Sequence, residues 1–201
     1  MAYIDLDTLK AYMQGSAIAV GSDHDDLLEE CIARAQAIIE AQPPLGTGRA
    51  WEAPADTTRY FDAERDVYGR DLLFLDMDLC AITSVTVNGD ALSSADYVPI
   101  PRNTTPYHGI RIKRNADDDW SWDDDPEDAI AVTGRWAYAT TAPAEIVQLA
   151  CRLAAYLYRQ RTFSSETERP IITAGATILP SALPSDVRDA IAALAQYGGR
   201  A

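Results

Sequence analysis

Eight acidic residues crowd into the twelve positions of DDDWSWDDDPED, residues 117–128. Neighbouring carboxylates repel by about 1 kcal/mol at 4 Å in water, so such a stretch must be solvated, extended or neutralised by a cation. Asp117, Asp119, Ser121, Asp123, Asp125 and Asp128 fall at the spacing of calcium-loop positions. Against that chemistry, Trp120 and Trp122 crowd the loop, the mid-loop glycine is missing, and Asp128 is shorter than the usual bidentate glutamate. The plainer reading is an exposed hairpin tip between strands at 110–114 and 130–136. Asp117, Asp118, Asp119, Asp123, Asp124 and Asp125 would then be solvated. Trp120 and Trp122 would either anchor the tip to its own sheet or meet a neighbouring subunit. No metal ligand is assigned.

Other reactive groups are sparse. His24 sits at a helix start among aspartates, and His108 lies in the turn NTTPYHG with no cysteine or activated serine motif beside it. GxSxG, the phosphate loop, GxGxxG and HExxH do not occur. No catalytic or cofactor-binding residue is assigned, no cofactor is expected, and the chain reads as a non-enzyme. A hydrolase using His108 ranks behind every other reading. Cys31, Cys80 and Cys151 are scattered and form no CxxC pair, which fits small buried hydrophobes in a reducing cell.

The charge is lopsided. A formal net charge of -14 argues against non-specific nucleic-acid binding, which needs Lys and Arg at the phosphates. It suits a protein that must stay soluble or must not stick to DNA passing nearby. Residues 144–201 are close to neutral, with six Arg against five acids, while residues 1–143 carry a net charge of -15. Arg152, Arg159 and Arg161 are expected to pair with acids of the N-terminal part or of a neighbour. Arg102, Arg111, Lys113 and Arg114 form a basic strand that would balance the acidic tip. The first residues, MAYIDLD, do not resemble a signal peptide, and no stretch is long and apolar enough to span a membrane.

The elements that position these residues follow from periodicity. A short helix is expected over 3–13, with Asp5 or Asp7 near its N-cap and Leu6, Leu9 and Met13 inward. A second helix over 23–41 is capped by Ser22 or Asp23. It carries Leu27, Leu28, Cys31, Ile32, Ala35, Ile38 and Ile39 on one side, and Pro43 and Pro44 stop it. A β module over 57–137 follows, with strands at 57–62, 71–76, 82–87, near 110–112 and at 130–136. Thr83, Val85 and Val87 share a face, and Asn88-Gly89 makes a tight hairpin turn. Residues 97–100 would form the return strand or its extension, which Pro99, Pro101 and Pro106 make either an edge strand or an irregular segment. A long helix over 143–161 is apolar nearly all round and forms the centre of the molecule. The fold class is α+β: a helical bundle around that helix, an inserted antiparallel β module, and a C-terminal arm plus helix. Residues 1–161 make the body and 162–201 the arm and docking helix.

The arm is the strongest sign of a partner. Residues 162–183 lack helical spacing, yet contain β-prone pieces on both sides of Gly175. A connection of this length is usually functional or disordered. It either packs on its own domain or adds to a partner's sheet edge or groove. The interface residues expected on this segment are Phe163, Ile171, Ile172, Ile178 and Leu179. On the helix that follows they are Val187, Ile191, Leu194 and Tyr197.

In order, the helix pair IDLDTLKAYM and HDDLLEECIARAQAIIEA, the strand run TTRYFDA…LLFLD…AITSVTVNGDALSSADYVPIP, and the join VTGRWAYATTAPAEIVQLACRLAAYLYRQR resemble the head–tail connector (adaptor) proteins of tailed bacteriophages and phage-like particles. The resemblance runs through most of residues 3–161. It implies a structural virion protein, made in the bacterial cytoplasm and placed at the neck. It further implies a ring of copies, commonly a dodecamer, beneath the portal protein, which extends the DNA channel and is a platform for a stopper or tail-completion protein. DNA would pass without specific binding, no membrane would be involved, and the C-terminal segment would touch the portal. The alternative is a monomeric β-type binding module, calcium-dependent through the 117–128 loop.

Overall fold

The computed structural model describes residues 2–15, 21–69, 71–162, 171–173, 176–178 and 183–196. Its order is α1 (Leu6–Gly15), a 3-10 turn (Ser22–His24), α2 (Asp25–Glu40), then strands β1 (Thr57–Phe61), β2 (Val67–Tyr68), β3 (Leu72–Leu79), β4 (Ala81–Val87), β5 (Asp90–Ala91), β6 (Tyr97–Ile100), β7 (Tyr107–Ile112) and β8 (Ile130–Arg135). There follow α3 (Ala144–Thr162), β9 (Ile171–Thr173), β10 (Ala176–Ile178) and α4 (Ser185–Gln196). The chain is α+β and forms two compact units. One joins Met1–Gly48 to Pro143–Ala201, and the other is Arg49–Ala142.

The helical unit is built on α3. Asp5 caps α1, its Oδ1 accepting from the Thr8 amide at 2.7 Å. Leu9 and Met13 point inward from α1, as do Leu28, Cys31, Ile32, Ala35 and Ile39 from α2. On α3, Ile146, Leu149, Ala150, Cys151, Leu153, Ala154, Leu157 and Tyr158 are all buried, as a helix wrapped by others requires. Lys10 meets Asp25 at 2.6 Å between α1 and α2, and Arg161 on α3 pairs with Glu30 on α2. Beyond α2, the Thr47 amide and hydroxyl both bond to the Ile39 carbonyl, which closes the helix end.

The β unit holds two four-stranded sheets where the sequence suggested one module. Their orders are β1-β8-β4-β5 and β2-β3-β7-β6. Both sheets feed one core: Phe61, Val85, Ile130 and Val132 from the first, Leu73, Leu75, Leu79, Ile110 and Ile112 from the second. The Asn88-Gly89 turn forms as expected, with φ of 53° and 89°. Its return strand, however, is the short β5. Residues 97–100 pair instead with β7 in the other sheet, where Pro99 does sit at an edge. A register shift between Ile82 and Ser84 separates Thr83, which is exposed, from buried Val85, so the two do not share a face. Gly134 is required by close packing: a Cβ there would lie 2.1 Å from the Ala81 carbonyl oxygen.

Candidate functional site

The acidic segment 117–128 is not a hairpin tip. The strands before and after it, β7 and β8, belong to different sheets, so it is a crossover between them. Alternating Ile110/Ile112 and Ile130/Val132 point into the same core from opposite sheets, and that pattern is identical for paired and facing strands.

The crossover is pinned at several points. Trp120 is buried in the shared core, and its indole Nε1 donates to the Asp71 carbonyl at 3.0 Å. Asn88 of the β4–β5 turn donates through Nδ2 to the Ser121 carbonyl at 3.2 Å. The Ser121 and Glu127 amides donate to Asp119 Oδ1 and Asp125 Oδ1, each at 3.0 Å. Near the far end, the Asp128 amide bonds to Asp62 Oδ1 at 3.2 Å and the Ala63 amide to the Pro126 carbonyl at 2.9 Å. Of the two tryptophans, Trp120 anchors the segment to its own core, while Trp122 stays 43% exposed.

Two clefts border the segment. One, of about 270 Å³, is polar and lies against the β4–β5 hairpin, with Asn88, Asp90, Asp117, Asp118, Asp119 and Asp123 in its wall. The other, of about 330 Å³, is lined by Ala63, Glu64, Val67, Gly69, Asp119, Trp120, Ser121 and Trp122. Asp124 and Asp125 are exposed but line neither cleft. Among the described residues no three His, Cys, Asp or Glu side chains converge to hold a metal. Sequence reasoning missed Glu64, Val67 and Asn88 as wall residues, because they come from strand ends far from the acidic run.

Among the described residues none of the expected basic residues forms an ion pair with an acid of this segment. Arg111 pairs with Asp71 at 3.3 Å, and Lys113 donates to the Ala95 carbonyl. Arg102 and Arg114 are exposed. Arg152 pairs with Asp186 of α4, so the C-terminal helix is the partner of one of the α3 arginines and Glu30 of another.

The histidines and cysteines are occupied structurally. His24 meets the Tyr158 ring edge-on at 5.8 Å. His108 Nδ1 lies 3.5 Å from Asp78, whose other oxygen is 2.7 Å from the Arg49 Nε. The Arg49 guanidinium also lies against both Trp51 and Tyr138, at 5.5 and 5.2 Å from their rings, which pack on each other at 4.9 Å. All three thiols are free and buried, and burial pushes each above its ordinary pKa, which disfavours the reactive thiolate.

The expected interface residues fall into three groups. Phe163, Leu179 and Tyr197 lie outside the described residues. Ile171 and Ile172 stand on β9 and Ile178 on β10, strands that pair with each other in an antiparallel ladder. Val187 and Ile191 are buried by the chain itself, with α4 packed on α3, and Leu194 is half-buried. The stripe expected to face a partner is thus covered at two of its positions. No helix among the described residues is long and apolar enough to cross a membrane.

No protein-family model and no curated protein matches the chain. A solved structure does: one chain of the structure described as "Neck of empty GTA particle computed with C6 symmetry" superposes with a TM-score of 0.57 at 15% identity. The likeness covers 96% of this chain and 88% of that one.

Proposed function

We propose that this chain is a structural protein of the neck of a phage-like particle, a head–tail connector that assembles as a ring beneath the portal protein. One observation supports this above the others: the likeness to a neck chain runs through 96% of the sequence, helical unit and β unit together. The order of the elements supports it as well, since it matches the arrangement by which the sequence itself resembles connector proteins. The six-fold symmetry of the neck in that structure is compatible with a ring of twelve. In this reading the ring extends the DNA channel and presents a platform to a stopper or tail-completion protein. The excess of carboxylates, with a net charge of -14, would keep DNA phosphates from adhering as the genome slides past.

The portal contact is assigned to the segment around β9 and β10, because Val187 and Ile191 are covered by α3. Sedimentation of the purified protein, alone and mixed with the portal protein of the same particle, tests the reading. The expected result is one large stoichiometric complex. An Ile171→Asp/Ile172→Asp variant should remain folded and fail to join it. A wild-type protein that sediments independently of the portal would overturn the connector assignment.

A further inference from the structure

Trp122 poses a question that a ring scaffold leaves unanswered. A tryptophan side chain carries a large apolar area, and returning its exposed part to a dry contact is favourable. Here the 43%-exposed indole stands at the wall of a groove whose other apolar lining is Ala63, Val67 and the buried Trp120. Glu64 and Asp119 complete the wall as its charged members. The groove is pre-formed: Trp120 is held through its Nε1, and Ser121 is held from both sides by Asn88 and Asp119. An aromatic wall beside two carboxylates is the arrangement that takes an apolar side chain flanked by cations, with a guanidinium stacking on the indole.

We infer that this groove is the docking site for a short segment of a different protein, carrying one large apolar residue between arginines or lysines. Charge complementarity selects that occupant. Glu64 and Asp119 in the wall favour cations beside the apolar residue, and nucleic acid, which brings phosphates, is repelled. The inference concerns the β unit alone and is independent of the neck reading.

The probe is a synthetic fluorescent peptide with one leucine between pairs of arginines, titrated by anisotropy at low and physiological salt. The intact protein should bind it. Trp122→Ala should weaken binding at least about tenfold, as should the pair Glu64→Gln/Asp119→Asn and a peptide with serine in place of leucine. The pair Asp124→Asn/Asp125→Asn removes the same charge outside the groove and should stay within about twofold of wild type. Thermal melts establish that each variant is folded. Three results would overturn the inference: no binding by the intact protein up to about 1 mM peptide, equal losses for the two charge pairs, or unchanged affinity in Trp122→Ala. Sedimentation of the protein alone, with self-association lost in Trp122→Ala, would assign the groove to a second copy and overturn it too.

Discussion

Two tryptophans two positions apart should respond to truncation very differently. Trp120→Ala removes a buried ring and one of the two hydrogen bonds to the Asp71 carbonyl, which keeps the Ile112 amide at 2.9 Å; a loss of about 3–5 kcal/mol is expected in denaturant melts. Trp122→Ala should cost less, about 1 kcal/mol, since its side chain is only partly covered at 43% exposure. Gly134→Ala drives a methyl into the Ala81 carbonyl, and overpacking against backbone should cost about 3 kcal/mol or more. Asp56 gives a pH signature. The Thr83 hydroxyl and then the Arg135 guanidinium donate to it and hold its carboxyl below the usual range. A lowered carboxylate pKa stabilises the fold above the ordinary value near 3.9 and loses that contribution as pH falls through the lowered one. Asp56→Asn should therefore melt lower than wild type at pH 7, with the gap closing below about pH 4.

At the scale of elements, α4 belongs to the body. Val187 and Ile191 are buried and Asp186 meets Arg152 on α3. Deleting residues 183–201 should lower the melting temperature and raise binding of a hydrophobic dye, because it strips a cover from α3. A truncation that melts like wild type would show the contact to be weak. Periodicity made most elements legible: Leu9/Met13, the α2 stripe and the all-round apolar α3 follow from spacing, and Asn88-Gly89 from its need for positive φ. It could not assign strands to sheets. Tyr97–Ile100 pairs with β7 rather than with β4, and β7 and β8 part company, because inward alternation is the same on either side of a shared core. The groove stayed hidden for a related reason. Ala63, Glu64 and Val67 acquire meaning only when the crossover passes beside them, and nothing in their local pattern announces that. The stripe on α4 was visible, but apolar spacing does not say whether the chain itself or a partner covers it.

For the whole molecule, like charge sets the conditions of assembly. If copies of a chain with net charge -14 form a ring, added salt should favour it, since screening shortens to roughly 8 Å at physiological ionic strength. Ring mass followed against salt concentration checks this: a yield that falls with salt would mean attractive ion pairs dominate the subunit contacts. The division of the chain has a consequence in time. Helices α2 and α3 pack together, yet the entire β unit lies between them in sequence. The segments that enter and leave that unit meet where it begins and ends: Glu52 bridges Ala139, and the Tyr138 amide donates to the Ala50 carbonyl at 2.9 Å. Until they meet, joining α2 to α3 closes a loop on the order of a hundred residues; afterwards it closes roughly sixteen (41–50 and 138–143), a saving of roughly 1.5 kcal/mol in closure entropy. The β unit is therefore expected to form before α2 and α3 join, which pulsed hydrogen exchange during refolding checks: α3 amides protected ahead of those of β8 would contradict it.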